Sequence, residues 1–224
     1  HENLKKGTAM HAAEQEQAPA SIHDALKVKE AGLETVLVYD DHRRSNFRDY
    51  AFSKMPTLQE IIRSSWAEHT LWSAGPWKDS PARAPANDRT VVTMRREVPG
   101  GELRKILTLW RQAPRITFGY QLVDVVAPVV ALEFNLGMLD ERWKQPAWQE
   151  EQESWSVRDP SLGFEIVMQC DPPATLAVFP LETISGSEGG LERTPQGVAC
   201  VWLWPTHGLR RWSGTVEWTV KELA

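Results

Sequence analysis

The chain has 224 residues, 42% hydrophobic and 25% charged, enough to bury a substantial core in one large domain with a short lead-in. Its 25 basic and 30 acidic side chains leave a net charge of −5, which draws it toward neither phosphate backbones nor anionic lipid, so no nucleic-acid or membrane partner is expected. No run approaches the roughly 18 to 20 apolar residues of a membrane span, and no signal-peptide pattern opens the chain, so a soluble, cytoplasmic protein is expected.

The opening run His1-Glu2-Asn3-Leu4, followed by Lys5-Lys6-Gly7-Thr8, is read as the remnant of a purification tag and cloning linker. Residues 1–20 are then a tag remnant, linker or helical lead-in, and 21–224 a single domain. An N-terminal His can brace copper in oxidative polysaccharide-cleaving enzymes, but the tag-like surroundings of His1 weigh against that use. The spacing predicts a helix over Ser21–Ala31, where Ser21 and Asp24 have capping-box-like spacing and Gly32 offers a stop. A second helix is expected from about Thr57 to Ser65, with Thr57 as N-cap, Glu60 at the third position, and an apolar stripe of Leu58, Ile61 and Ile62. Ser80 to Asp88, with Pro81, Pro85 and Asn87, suits a loop leading into the main β region.

From Thr90 onward, short runs rich in Val, Ile, Thr and aromatics alternate with turn residues, the pattern of an antiparallel sandwich of about a dozen strands. Pro99-Gly100-Gly101 is the clearest hairpin turn. Across Val129–Met138, alternation puts Val130, Leu132, Phe134, Leu136 and Met138 on one face, and Glu133 and Asn135 on the other. Val198–Trp204 is apolar at nearly every position, as befits a central strand covered on both sides. The last strand points Trp212, Gly214, Val216, Trp218 and Val220 inward and Ser213, Thr215, Glu217, Thr219 and Lys221 outward. The fold class is therefore mainly β: a large antiparallel β-sandwich with short N-terminal helices.

No phosphate-binding glycine loop, Gly-x-Ser-x-Gly elbow or His-Glu-x-x-His pair occurs in the chain. Cys170 and Cys200 lack partners at metal-ligand spacing and are read as buried thiols, with no metal or cofactor expected. Glu133, Glu182 and Glu188 could converge on one sheet face as an acid and base pair for glycoside cleavage, or serve as solvated or structural groups. The segment Pro180–Glu192 mixes carboxylates, hydroxyls and glycines, and is either a polar face with specific partners or an ordinary loop. The 11 tryptophans invite sugar stacking. Trp110, Trp202, Trp204, Trp212 and Trp218 sit in strand-like segments and are assigned to the core, whereas Trp72, Trp77, Trp143 and Trp148 lie in polar or Pro-containing surroundings and are the candidates for exposure and carbohydrate contact.

Ser21-Ile22-His23-Asp24-Ala25-Leu26-Lys27-Val28-Lys29-Glu30-Ala31-Gly32-Leu33, followed by Leu37-Val38-Tyr39-Asp40-Asp41-His42-Arg43-Arg44-Ser45-Asn46-Phe47-Arg48-Asp49-Tyr50, resembles the C-terminal domain of glycoside hydrolase family 57 α-amylases and 4-α-glucanotransferases. Leu132-Glu133-Phe134-Asn135-Leu136-Gly137 is similar to that family's E-x-N-L strand, and Pro180–Glu192 to its P-I-E-T-x-S-x-S-E-G-G-x-E segment. The matches keep the family's order over roughly residues 21–220, and Glu68-His69-Thr70-Leu71-Trp72 departs from it where relatives often carry an acidic-aromatic pair.

The resemblance implies a galactose-mutarotase-like β-sandwich packed against a separate N-terminal (β/α) barrel that holds the family's nucleophile Glu and acid Asp. No catalytic residue carries over to this chain. The implied role is that of a non-catalytic accessory or carbohydrate-binding domain, with an α-glucan or other polysaccharide and a catalytic domain or separate catalytic subunit as partners. Glu133 and Asn135, with Glu182, Ser185 and Glu188, would line a concave face, or form a structural network with Arg43 and Arg44 as forked donors. Two other readings stay open. One is a stand-alone mutarotase- or lyase-type enzyme, for which His42, His69 and His207 lie outside the polar strands. The other is a structural or oligomerisation module, such as a homodimer.

Overall fold

The computed structural model describes residue 33 and residues 44–72, 75–79, 88–139, 145–187 and 190–223. The helix expected over Ser21–Ala31, residues 80–87 of the expected loop, His42, Arg43, Trp143 and Glu188 lie outside the described residues.

Chain order gives β1 (Arg48–Phe52), α1 (Leu58–Ile62), a 3-10 turn (Ala67–His69), β2 (Thr70–Trp72), β3 (Lys78–Asp79), β4 (Arg89–Val98), β5 (Gly101–Trp110) and β6 (Arg115–Val123). There follow β7 (Val129–Gly137), β8 (Ala147–Asp159), β9 (Phe164–Ser187), β10 (Gly190–Pro205) and β11 (Arg211–Glu222). Helix α1 begins with the expected capping box: the Glu60 amide donates to the Thr57 hydroxyl (3.2 Å) and the Thr57 amide donates to the Glu60 carboxylate (2.7 Å). It stops at Ile62, short of the expected Ser65, because Arg63 is the C-cap and Ser64 turns to φ +50°.

All pairings are antiparallel, in the order β2-β1-β7-β10-β9-β11-β6-β5-β4-β3, with β8 beside β9. The 24-residue β9 is the spine of the molecule. Its first part, from Phe164 to Asp171, pairs with β11; from Thr175 it pairs with β10 instead. The exchange of partners falls at Pro172 and Pro173, which have no N–H to offer a ladder. The continuous sheet therefore folds over on itself into two layers, β2-β1-β7-β10 and β11-β6-β5-β4-β3, joined through β9 and β8.

Between the layers lies the larger core. Phe134 of β7 meets Phe118 of β6 with ring centroids 4.9 Å apart and Trp218 of β11 at 5.0 Å. The alternation expected for β7 holds, since Val130, Leu132, Phe134 and Leu136 belong to this core. A second apolar cluster lies on the outward side of the first layer, where Tyr50, Phe52, Val129, Ala131, Phe179, Val201 and Leu203 are covered by Ile61 of α1 and by Trp66. This second cover explains the unbroken apolar run of β10, which is buried on both faces as expected. A bulge between Pro195 and Gly197 sets Gly197 (φ +149°) so close to β7 that a Cβ there would collide with the Leu136 carbonyl, and only glycine fits.

The assignment of Trp110 to the core is corrected by the structure. Leu103, Lys105 and Leu107 take the inward positions of β5, so alternation turns Trp110 outward, and it belongs to neither cluster. Trp202, Trp204 and Trp218 are buried in the inter-layer core and Trp212 packs against it.

Candidate functional site

Two polar clusters flank β1, because alternation sends Asp49 into the space between the layers and Arg48 and Tyr50 to the outward side. On the outward side Glu133 of β7 is fully buried. Arg44 donates to its Oε1 (3.0 Å), the Tyr50 hydroxyl to its Oε2 (2.5 Å), and Asn135 Nδ2 to Oε1 (3.0 Å). Asn135 is held in turn by the segment before β1: its amide donates to Asn46 Oδ1 (2.6 Å) and its Nδ2 to the Ser45 carbonyl (3.2 Å). The Arg44 guanidinium also lies 5.2 Å from the Phe179 ring centroid. Burial, reinforced by the charge of Glu133, pushes the Tyr50 hydroxyl far above its ordinary pKa, so it stays a donor. The same two causes raise the Cys200 thiol.

On the inward side Asp49 accepts from Arg96 Nη2 (2.6 Å), Lys105 Nζ (2.7 Å) and the Tyr120 hydroxyl (3.1 Å). Lys105 Nζ donates as well to the Phe47 carbonyl (2.5 Å), and Trp72 Nε1 to the Tyr120 oxygen (3.4 Å). Trp77 lies over both cations, 4.7 Å from the Arg96 guanidinium and 4.6 Å from Lys105 Nζ. Burial lowers the Lys105 pKa against the opposing pull of Asp49, and raises that of Tyr120, with the Asp49 charge adding to the rise.

The structure brings Glu133 and Asn135 together, adds Arg44 to them, and sets Glu182 apart. Glu182 lies near the far end of β9, where Arg193 of β10 donates to it across the hairpin (3.3 Å). That hairpin settles the form of the Pro180–Glu192 segment: residues 180–187 and 190–192 are paired strand. Trp72 and Trp77 pack against the inter-layer core, and Trp148 against the outward cluster. Each is only partly buried.

Sequence reasoning missed Asp49, Arg96, Lys105 and Tyr120. A signal was present, because Arg96 in β4 and Lys105 in β5 each occupy an inward position amid apolar neighbours at Met94, Val98, Leu103 and Leu107. A third buried carboxylate, Asp159 at the end of β8, accepts from the amides of Leu139 (2.6 Å), Ser161 (3.0 Å) and Leu162 (3.1 Å), organising a turn. Cys170 and Cys200 are free and buried, and Cys200 Sγ sits 3.7 Å from Met168 Sδ. Among the described residues, no three His, Cys, Asp or Glu side chains gather as metal ligands, and no helix is long and apolar enough to cross a membrane.

Comparison with known proteins bears on most of the chain. The model of a family described as alpha-amylase/4-alpha-glucanotransferase, C-terminal, matches residues 1–216. Alpha-amylase 1 of Dictyoglomus thermophilum is 26% identical over 200 residues, covering 81% of this chain and 28% of the relative. The 4-alpha-glucanotransferase of Thermococcus kodakarensis is 26% identical over 194 residues, covering 84% and 28%. The crystal structure of 4-alpha-glucanotransferase from Thermococcus litoralis superposes with a TM-score of 0.68 at 20% identity, covering 85% of this chain and 29% of that one. The chain thus spans under a third of the length of these relatives, and the superposition establishes a shared fold.

Proposed function

Because the chain belongs to the family of alpha-amylase/4-alpha-glucanotransferase C-terminal domains, we propose that it is the non-catalytic accessory domain of an α-glucan-active enzyme of the glycoside hydrolase family 57 type. The observation that carries this reading is the match over residues 1–216 to a C-terminal domain, in relatives of which this chain covers only 28%. The remaining length is where a catalytic domain belongs, and an N-terminal catalytic domain is the proposed partner.

The chemistry of the buried carboxylates agrees with this role. A general acid or base must meet substrate, whereas Glu133, Asp49 and Asp159 are buried and engaged by donors of the fold itself. We assign them to the framework of the fold: Asp49 between the layers, Glu133 within one layer, and Asp159 at a turn. Glucan contact is assigned to the partly exposed Trp72, Trp77 and Trp148 and to Glu182, with Trp143 and Glu188 as further candidates from the sequence, and the site of action to the cytoplasm.

The test is a titration of the 224-residue chain against starch, glycogen, β-glucan and xylan, with sugar release measured in the same tubes. Retention on the α-glucans without release is the expected result. Release of sugar would sink the non-catalytic assignment, and retention on xylan or β-glucan alone would sink the α-glucan assignment.

A further inference from the structure

The outward face of the second layer carries a tryptophan that neither apolar core uses. Trp110, the last residue of β5, is clasped by side chains from the strands on either side. The guanidinium of Arg115 on β6 stacks 3.9 Å from its ring centroid, and that of Arg89 on β4 lies at 5.2 Å. Its Nε1 donates to the Thr117 hydroxyl (3.3 Å), which donates to Glu217 Oε2 (3.1 Å). Glu217 Oε1 pairs with Arg115 Nη1 at 3.6 Å, closing a ring of interactions across β5, β6 and β11.

The two guanidinium contacts are not equal. Arg115 is half-buried and anchored by Glu217, whereas Arg89 is exposed and sits farther from the ring. The nearer contact is therefore anchored, the indole edge is pinned by a hydrogen bond, and the farther contact comes from an exposed side chain. A rigid aromatic plane with a removable cover and a hydroxyl, a carboxylate and a guanidinium beside it is the chemistry that receives a sugar ring: apolar C–H face on the indole, hydroxyls on the polar groups.

We propose that Trp110, with Thr117, Glu217 and Arg115 beside it, forms a saccharide-stacking site for a neutral α-linked gluco-oligosaccharide on the outward face of the second layer. The site rests on the reading that this domain contacts α-glucan, and it adds a surface distinct from Trp72, Trp77 and Trp148. Arg89 acts as the displaceable cover.

The probe is maltoheptaose in calorimetric titration, alongside retardation in glycogen-containing native gels, using the whole chain and the variants W110A, W110F, R89A and W77A. W110A should weaken binding about tenfold, the equivalent of about 1.4 kcal/mol, and W110F should recover part of the loss. R89A should bind as well as the unaltered chain or better, because removing the cover frees the indole. A merely structural clasp predicts the opposite, so an R89A loss as large as that of W110A overturns the site. Unchanged binding by W110A, with the loss appearing in W77A, overturns it as well and leaves the glucan reading standing. Absence of binding by the unaltered chain removes both. If W110A lowers the melting temperature, W110F and R89A decide.

Discussion

Strand β1 divides two buried networks built from nearly the same parts, a carboxylate, a tyrosine and cations, and they hold different things together. The inward one spans the layers: Asp49 on β1 takes donors from β4, β5 and β6. The outward one stays within one layer, binding β1 and β7 to the segment just before β1 through Glu133, Tyr50, Arg44 and Asn135. Asp49 answers to both Arg96 and Lys105 in ion pairs between the layers, and Glu133 answers to Arg44 on the outward side. A buried carboxylate that neutralises two cations between layers has the larger effect on stability when it is removed, because both cations are then left in the interior.

Removing the inward carboxylate is the most severe way to test this contrast. D49A should lower unfolding stability by about 3–5 kcal/mol in urea titration. The triple replacement of Asp49, Arg96 and Lys105 by apolar residues of similar volume should recover most of it, because no orphaned charge remains. If D49A cost no more than an exposed pair, the layers would not depend on this network. On the outward side, E133Q preserves shape but discards the charge that faces Arg44 and turns one accepting oxygen into an NH2 that cannot accept from the donors around it, and should cost about 1–3 kcal/mol in the same assay. A loss equal to that of D49A would erase the distinction.

The tyrosines sharpen the comparison through pH. Both have folded pKa values above the ordinary 10.0, so above that pH the unfolded chain releases protons that the folded chain keeps. Stability is then intact below pH 10 and falls as pH climbs past it, with a slope of about 1.4 kcal/mol per pH unit for each tyrosine. Y50F and Y120F should each remove one share of the slope in alkaline denaturation. An unchanged slope in Y120F would mean that its hydroxyl is not sealed in. The smallest effect is expected at the far hairpin, where E182A breaks an exposed pair with Arg193 and should shift stability by less than about 1 kcal/mol in thermal melts.

Much of the fold is legible in the residues, and the limits of that legibility have physical causes. The period of two in β7 and β11, the apolar run of β10 and the Thr57–Glu60 capping box are local signals, and the structure keeps them except at Val220, expected inward but 40% exposed near the end of β11. The grouping of Glu133 with Asn135, and Arg44 as a donor, follow from alternation and the need to satisfy a buried charge. The exchange of partners along β9 is a tertiary event, and a strand's neighbours leave no mark on its own period. Trp110 lies outside the core because it is out of phase with Leu103, Lys105 and Leu107 on β5, and an apolar residue type cannot say which face of a strand it takes. Asp49 escaped notice since its donors lie 47 to 71 positions away, although an Arg and a Lys at inward strand positions announced that some carboxylate must meet them.

The length of β9 carries one more consequence. A two-layer sheet usually has a seam along which one layer can open while the other stays closed. Here the same strand supplies backbone pairing to β11 in its first part and to β10 in its second, so opening either layer frays the edge of the other. The two layers should therefore exchange their most protected amides with deuterium as a single cooperative unit, Met168 and Leu176 opening together. A domain that yields all at once transmits a load placed on one face to the other without an intermediate.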